Sequence, residues 1–414
     1  MIQGCINCFF GEGRMKLGNV ATGADFFNRV TDLVDIWDKI SDDHLILSGP
    51  RRLGKSSVLY KLKEQATEHG YNAEIVDVQG VDDAQGFIDC IFESFPTKSH
   101  SATSFMTKFN PFKSVKKIDA KVMGQGGGIE FLDTKQRLWQ EDARKIFDHL
   151  ASDKYLILVD EFSVFLEKFL QRNPDEAVDF LDWLRKWRIN QGSLCKFVFT
   201  GSIGLTTLLE TYDLVPQMND CDDYVLKQFR QIHAVEMLQR FARDKNVEIN
   251  EENSIYICER IGWLSPFFLN LLLNESMVAA RDRLLEETTA INTSTDGLKV
   301  ILKQDINDAY ERLLASRSRF SHWETRLKKQ LNKEEFGFCK SILSHIAKSE
   351  SGLNMVQLSA RLQSTQPDLE QREQLLQRLL FRLTEEGYLS PPCKEGKIQY
   401  LSFILKDYWK RNHA

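Results

Sequence analysis

Short apolar runs alternate along the first part of the chain with longer segments in which apolar residues recur every three or four positions. A run of four to eight apolar residues is typical of a strand buried on both faces, and the longer period is typical of a helix. Strands that alternate with helices predict a parallel sheet with helices on both of its faces, an α/β fold. The predicted strands are residues 44–48, 73–78, 154–159 and 194–200, and the predicted helices are residues 56–69, 83–95, 137–150 and 175–190.

Two segments do not follow this alternation. Ahead of the first strand, apolar residues at helical spacing predict an amphipathic helix that packs on the sheet. Residues 97–135 are rich in Ser, Lys and Gly and contain the glycines of 124–128, so we expect a flexible insertion there. The apolar residues of the amphipathic helix are Phe26, Phe27, Val30, Leu33, Val34, Ile36 and Trp37.

The pattern changes in the second half of the chain. Residues 231–280 and 305–330 have only helical spacing, so we expect the strands to stop at about residue 230. After residue 335, three helices and two strands around Pro391 and Pro392 follow the order of a winged helix, a helix-turn-helix variant. The predicted divisions are a leader at 1–20, a core at 21–229 with the insertion at 97–135, a helical lid with linker helices at 230–330, and a C-terminal winged-helix domain at 331–414.

Composition narrows the class of protein. The 414 residues exceed what one hydrophobic core holds, and the net charge of −5 gives no overall attraction to nucleic acid or to an anionic membrane. No apolar run approaches the ~18–20 residues of a membrane span, and the first 14 residues lack the layout of a signal peptide. Eight scattered cysteines suit a reducing compartment. We therefore expect a cytoplasmic protein with no membrane partner.

The N-terminal leader offers one further motif. Cys5 and Cys8 form a single C-x-x-C with no second pair at zinc-finger spacing, so a disordered leader is favoured over a metal or redox site. Recognisable structure begins only after Met15, and the sequence leaves open whether Met1 or Met15 is the start.

A phosphate-binding loop follows the first predicted strand. Residues 49–56 fit G-x-x-x-x-G-K-[ST], between a buried strand and a helix. Two glycines let the backbone N–H groups turn towards phosphate oxygens, and the helix N-terminus favours an anion. The lysine would reach the β- and γ-phosphates, and the following hydroxyl would ligate Mg²⁺. The expected nucleotide contacts are Gly49, Pro50, Arg51, Arg52, Leu53, Gly54, Lys55, Ser56 and Ser57.

Two carboxylates end the strand at residues 154–159. Asp160 and Glu161 follow four apolar residues and would reach the carboxyl edge of the sheet, where ligands bind in α/β folds. Asp160 would hold Mg²⁺ together with Ser56, and Glu161 would polarise the water that attacks the γ-phosphate. The sequence therefore predicts ATP and Mg²⁺ as ligands.

A third strand ends with polar residues near the same edge. Thr200 is the candidate for a polar side chain between the acidic motif and the γ-phosphate, with Ser202 as its substitute. The transition state usually needs a further cation, such as an arginine finger. Arg51, Arg52, Arg185 and Arg188 are the arginines considered, and for the last two a solvated helix face is favoured.

Together these motifs resemble those of archaeal and bacterial P-loop ATPases of the AAA+/STAND type, a family related to the origin-recognition ATPases. The resemblance implies a nucleotide-binding core, a helical lid, a C-terminal winged helix and ATP as the ligand. Residues 262–273 contain no arginine, where AAA+ proteins often carry one, and no trans-acting arginine box is visible, so a slow switch fits better than a hexameric motor. The resemblance is carried by residues 23–29, 49–57, 159–162, 200–205 and 262–266.

Three functions stay open at this stage. The leading one is an Mg²⁺-dependent ATPase that switches the arrangement of core, lid and winged helix and signals to an unidentified protein partner. The second is a DNA-binding loader or regulator of the origin-recognition type, with ATP as a modulator. The third is a scaffold that binds ATP and hardly hydrolyses it. For DNA binding, the third winged-helix helix carries Arg372, Arg378 and Arg382 against Glu370, Glu373, Glu385 and Glu386, and Lys394 and Lys397 lie on the wing.

Overall fold

The computed structural model describes residues 20–94, 139–291 and 299–414, except residues 152, 191, 202 and 203. The insertion expected at residues 97–135, the Cys5 and Cys8 pair, Met15 and Ser202 lie outside these residues. No helix in the described ranges is long and apolar enough to cross a membrane.

A five-stranded parallel sheet forms the first part of the molecule, in the order β2-β3-β4-β1-β5. The four strands expected from the sequence are present, and the predicted α/β class is confirmed. The edge strand β5 was not expected, because two aspartates interrupt its five residues. The strands are β1 His44–Ser48, β2 Asn72–Asp77, β3 Tyr155–Asp160, β4 Lys196–Thr200 and β5 Cys221–Val225.

Helices cover both faces of this sheet, as predicted. Alternate residues of a strand point to opposite faces, so Leu45 and Leu47 enter one hydrophobic core and Ile46 enters the other. The helix at α5, which directly follows the acidic motif, and the short α7 were not expected. The helices are α1 Val30–Asp42, α2 Lys55–Gln65, α3 Ala84–Ser94, α4 Trp139–Ala151, α5 Phe162–Arg172, α6 Pro174–Arg188 and α7 Leu205–Thr211.

The amphipathic helix ahead of the sheet is shorter than predicted. It begins at Val30, because Asn28 and Arg29 have φ angles of 58° and 69°, which are incompatible with a right-handed helix. Phe26 and Phe27 therefore precede the helix. Val30 is 67% exposed, so it belongs to the solvent face and the expectation that it packs on the sheet was wrong.

The region that follows β5 is mostly helical, as expected. A parallel pair of two-residue strands joins Val247 to Lys299, so the prediction that strands stop at about residue 230 was wrong in this detail. Both strands are too short to show a period in the sequence. The elements are α8 Gln231–Arg243, β6 Val247–Glu248, α9 Glu251–Ile261, α10 Pro266–Ile291, β7 Lys299–Val300, α11 Lys303–Ala315 and α12 Arg317–Gln330.

The last region has the arrangement of a winged helix. Three helices precede an antiparallel wing in which Leu389 pairs with Tyr400, and Ile398 pairs with Leu353 ahead of the second helix. Phe403 was expected to end the second strand, but it begins a fourth helix that packs on the first. The helices are α13 Lys333–Lys348, α14 Met355–Arg361, α15 Leu369–Glu385 and α16 Phe403–His413.

One hydrophobic core runs through several of these regions. The residues that cover the α1 and α2 face of the sheet belong to the same cluster as Phe268 of α10, Trp323 of α12 and Tyr388 of the wing. The opposite face, covered by α3 to α7, has a separate core rich in phenylalanine. The lid and the winged helix are therefore packed on the face that carries the loop at residues 49–56.

Candidate functional site

The loop at residues 49–56 lies at the carboxyl end of β1, where its two glycines are structurally required. Gly49 has φ +130°, and a Cβ there would lie 2.7 Å from the carbonyl oxygen of Leu226. Gly54 has φ +93° and ends the loop directly before α2. Only glycine adopts such angles without strain, so the loop can curl and present its backbone N–H groups to an anion at the start of α2.

Lys55 is the first residue of α2 and is buried under the loop. Its Nζ donates to the carbonyl oxygens of Gly49, at 2.5 Å, and Pro50, at 3.2 Å. Burial lowers the pKa of Lys55 to about 8, while the carboxylate of Glu161 acts in the opposite direction. A buried cation beside carbonyl dipoles attracts a phosphate strongly, because little water screens it.

The segment before α1 is hydrogen-bonded to this loop. Arg29 is buried, and its guanidinium donates to the carbonyl oxygens of Leu53, at 3.0 Å, and Lys227, at 2.6 Å. The backbone N–H of Ala21 donates to Ser57 Oγ at 2.9 Å. Residues 20–29 therefore join the loop, the start of α2 and the connection that follows β5.

The oxygen ligands expected for Mg²⁺ meet beside the loop. The hydroxyl of Ser56 hydrogen-bonds the carboxylate of Asp160, whose pKa is raised, chiefly by burial, and further by Glu161 and Asp77. A buried carboxylate with acidic neighbours and an adjacent hydroxyl fits Mg²⁺, which binds through one or two carboxylates and substrate phosphates. No cluster of three or more His, Cys, Asp or Glu that could hold a metal ion is found among the described residues.

Glu161 is held in an uncommon backbone conformation between β3 and α5. Its φ angle is 58°, in the left-handed region, which costs free energy for a residue other than glycine and is found most often at functional sites. One carboxylate oxygen of Glu161 lies 3.4 Å from Nη2 of Arg51. The side chain is thereby placed over the loop, within reach of its arginine.

Thr200 ends β4 at the same edge. The residue is 2% exposed, and its hydroxyl has no hydrogen-bond partner among the described residues. The backbone is tight beside it, because a Cβ on Gly201 would lie 1.9 Å from Ser163 Oγ. Buried hydroxyls normally find a partner, so an orphaned one that lines a cavity marks a position for a ligand group.

A cavity of about 610 Å³ connects these groups. Its lining includes the loop, Asp160, Glu161 and Thr200. It also includes apolar side chains from the segment before α1, from the connection ahead of α8, from α8 itself and from α10. These apolar residues are Phe26, Phe27, Phe229, Met237, Phe241 and Phe267.

The lid segment expected at residues 262–266 contacts the loop directly. Ser265 Oγ donates to the carbonyl oxygen of Arg52 at 2.8 Å, and the Arg52 guanidinium stacks on the ring of Phe267 at 4.2 Å. Nη2 of Arg52 also lies 2.9 Å from Nε2 of His322 on α12. Arg52 is thus a link between the loop and the lid, and it also lines the cavity beside the loop.

The winged helix also contacts the site, which the sequence did not indicate. Glu386, just after α15, lies 3.5 Å from Nε of Arg51. Glu385 lies close enough to Lys55 to lower its own pKa, although burial raises that pKa more strongly. In the sequence both glutamates were only charges on the third helix of the winged helix, and no motif set them apart.

Two of the four arginines considered for the transition state lie elsewhere. Arg188 is buried and binds Asp220 near the amino ends of β1 and β5, where its carbonyl oxygen contacts His44. Arg185 bonds Asn219 in the same neighbourhood. The loop is at the opposite end of β1, so neither arginine reaches it within this chain, and Arg188 does not have the solvated position favoured from the sequence.

The arginines of α15 have partners within the chain. Arg372 is buried and donates to the carbonyl oxygens of Gln366 and Pro367. Arg378 pairs with Glu335, and Arg382 pairs with Glu167 of α5 at 3.2 Å. Of these three arginines only Arg382 pairs with a residue outside the winged helix, so the helix considered for DNA binding is joined to the core near its C-terminal end.

Comparison with solved structures identifies proteins with a similar fold. No family model and no curated protein sequence matches the chain. The Walker-type ATPase PABY2304 of Pyrococcus abyssi is similar in structure, with a TM-score of 0.61 and 15% identity over 95% of this chain and 99% of that one. The Aeropyrum pernix ORC2 protein, in its ADPNP-ADP complexes, gives a TM-score of 0.53 and 12% identity over 96% and 99% of the two chains. The chain therefore has the fold of a P-loop AAA+ ATPase related to the origin-recognition proteins.

Proposed function

We propose that this protein binds ATP with Mg²⁺ and hydrolyses it, and that hydrolysis switches the arrangement of core, lid and winged helix. The observation that carries the proposal is a cavity lined both by a buried lysine, two carboxylates and an orphaned hydroxyl and by several aromatic side chains. The first group of residues suits a triphosphate, and the aromatic side chains suit a purine base. A nucleotide is the ligand class that needs both at once.

The phosphates would lie over the start of α2. The charged Nζ of Lys55 would move from the loop carbonyls to the β- and γ-phosphate oxygens, and the loop N–H groups would hold the same oxygens. Ser56 and Asp160 would hold Mg²⁺, which supplies positive charge to the phosphates when bound. The adenine would lie between the aromatic side chains that precede α1 and those of the lid.

Hydrolysis would use the two side chains that line the γ-phosphate end. Glu161 would orient a water molecule and accept its proton as the water oxygen attacks the γ-phosphorus. The bond from the γ-phosphorus to the bridging oxygen would break and leave ADP and phosphate. The hydroxyl of Thr200 would donate to the phosphoryl oxygens or to the water, which gives its orphaned oxygen a partner.

The switch is supported by the residues that surround the site. The lid contacts the loop through Ser265, and the winged helix contacts it through Glu386, so a change at the γ-phosphate alters the neighbours of both regions. The paired arginines of α15 do not favour DNA binding, so the output is assigned to a protein partner. The described cysteines are free thiols, which suits a cytoplasmic location.

ATP binding by a loop variant tests the first part of the proposal. Lys55→Ala removes the buried cation and should weaken ATP binding at least about 30-fold, because truncating one member of a buried charge pair costs about 2–5 kcal/mol. Lys63→Ala is the matched control, since Lys63 lies on the same helix and pairs with Glu74 on the surface. Calorimetry with both variants decides the matter, and unchanged ATP affinity in Lys55→Ala would contradict the proposed site.

A further inference from the structure

The end of α15 places a buried carboxylate against the phosphate-binding loop. Glu386 is 1% exposed, and its carboxylate lies 2.7 Å from Nε of Arg326 on α12 and 3.5 Å from Nε of Arg51 in the loop. Nε2 of Gln330 also donates to it, at 3.0 Å. A buried carboxyl group of the winged helix is thus shared between the nucleotide loop and α12; burial raises its pKa, and Arg51 acts in the opposite direction.

Arg51 lies between this carboxylate and that of Glu161. Its two contacts, 3.4 Å to Glu161 and 3.5 Å to Glu386, are both long for a charge-assisted hydrogen bond. The guanidinium is divided between the carboxylate proposed to activate water and a carboxylate outside the core. In this arrangement Arg51 occupies the oxygen of Glu161 that faces it, and Glu161 in turn holds part of the Arg51 guanidinium.

We propose that Glu386 restrains ATP hydrolysis by holding Arg51, and that release of the end of α15 frees Arg51 to stabilise the charge that develops on the γ-phosphate. The inference rests on the proposed function and names the regulation of that same site. An arginine supplied within the chain at a transferring phosphoryl group is worth several orders of magnitude in rate, so withholding it is an effective restraint. Glu386 acts through Arg51 and is a positioning residue.

The surrounding contacts hold the end of α15 in this place. Arg382 pairs with Glu167 of α5 at 3.2 Å, outside the cavity. A Cβ on Gly204, which precedes α7, would lie 2.5 Å from Oε2 of Glu385, so the backbone there approaches Glu385 closely. Three elements of the core, the loop, α5 and the start of α7, therefore contact the end of one helix.

The carboxyl groups at the end of α15 compete with a bound triphosphate for the cations of the loop. Glu385 and Glu386 bring two carboxyl groups towards Lys55 and Arg51, which are the cations that phosphate oxygens require. Like charges repel strongly where water is largely excluded. A ligand and a contact that compete for the same cations are linked, so ATP binding loosens the contact by the free energy with which the contact weakens ATP binding.

Removal of the Glu386 charge is the test. Glu386→Gln keeps the size of the side chain and should raise the single-turnover rate of Mg²⁺-ATP hydrolysis at least about tenfold, because hydrogen bonds to a charged group are lost. ATP affinity should rise as well, by a smaller factor, because the contact competes with ATP for Arg51, and amide exchange at residues 386–390 should rise. Glu311→Gln is the control, since Glu311 forms an exposed pair with Arg411 between α11 and α16.

A second variant keeps the test decisive if Glu386→Gln does not fold. Glu167→Gln loosens the same end of α15 through Arg382 and leaves Arg51 untouched, so it should raise the rate severalfold. A rate that is unchanged or lower in these variants, while the wild type binds ATP, overturns the inference and leaves the proposed function standing. A wild type that binds no ATP overturns the proposed function, and the inference with it.

Discussion

Arginine–carboxylate contacts occur at both ends of the central sheet, and they differ. At the amino end, Arg188 has a fully buried side chain and makes two hydrogen bonds to Asp220, at 2.7 and 3.0 Å. At the carboxyl end, Arg51 has a side chain that is 21% exposed, and it is divided between Glu161 and Glu386 at 3.4 and 3.5 Å.

The surroundings of the two arginines differ in the same direction. Beside Arg188, both ring nitrogens of His44 have backbone partners, the carbonyl oxygen of Arg188 and the N–H of Phe197. Beside Arg51, the hydroxyl of Thr200 has no partner within the described structure, and Glu161 has a left-handed backbone. The amino end keeps its buried arginine and carboxylate closely paired, although Nη1 of Arg188 has no hydrogen-bond partner among the described residues, whereas the carboxyl end has a divided arginine and an unpartnered hydroxyl that a ligand can engage.

Truncation of Arg188 should separate the two ends most clearly. Arg188→Ala leaves Asp220 with only a long contact to Arg185, at 3.7 Å, and should lower the free energy of unfolding by about 3–5 kcal/mol. ATP affinity of the folded protein should not change, because Arg188 is at the end of the sheet remote from the loop. Denaturant unfolding and calorimetry measure the two quantities.

The neighbouring Arg185 supplies the control. It lies on the same helix and is partly exposed, so Arg185→Ala should cost less than about 1 kcal/mol. A large loss of ATP turnover in either variant, with stability retained, would place a catalytic arginine at the amino end and break the comparison.

Thr200→Val should make the protein more stable and less active. The substitution removes a buried hydroxyl that has no hydrogen-bond partner among the described residues, and leaving such a group unpaired costs about 1–3 kcal/mol, so thermal stability should rise. The rate of hydrolysis should fall about 100-fold, as when one donor at a developing charge is lost. Thermal unfolding and single-turnover kinetics of Thr200→Val and of the exposed Thr211→Val give the comparison, and a loss of stability in Thr200→Val would assign the hydroxyl a structural role.

The pH dependence of ATP binding should show the buried lysine. Burial lowers the pKa of Lys55 to about 8, so the side chain is charged below that pH and becomes neutral above it in the ligand-free protein. Phosphate oxygens favour the charged form, so ATP affinity should be highest below pH 8 and fall about tenfold by pH 9. Titration calorimetry from pH 7 to pH 9.5 follows this, and a flat profile would contradict the burial of the lysine.

The sequence predicts those parts of the site whose positions depend on residues nearby in the chain. The spacing of Gly49, Gly54 and Lys55 after a buried strand is local information, and the structure places these residues at the carboxyl end of β1. The same holds for Asp160 and Glu161 after β3 and for Thr200 at the end of β4. In each case a strand of apolar residues determines where the polar residue after it lies.

Contacts between residues that are far apart in the sequence could not be predicted from local patterns. Glu386 lies more than 300 positions from Arg51, and nothing in its own helix distinguishes it from Glu385 or Glu370. The edge strand β5 was missed because an edge strand is not buried on both faces and lacks a continuous apolar run. The start of α1 was misplaced because the φ angles of Asn28 and Arg29 depend on contacts with Leu53 and Lys227.

Hydrolysis of Mg²⁺-ATP by the wild type and by Glu161→Gln tests the central claim most directly, with ATP binding measured on the same samples. The account predicts that Glu161→Gln lowers the rate about 100-fold or more and still binds ATP, because a positioned general base contributes about 10²–10⁴ in rate. Equal rates in the two proteins would contradict the assignment of the carboxyl end of the sheet as the catalytic site.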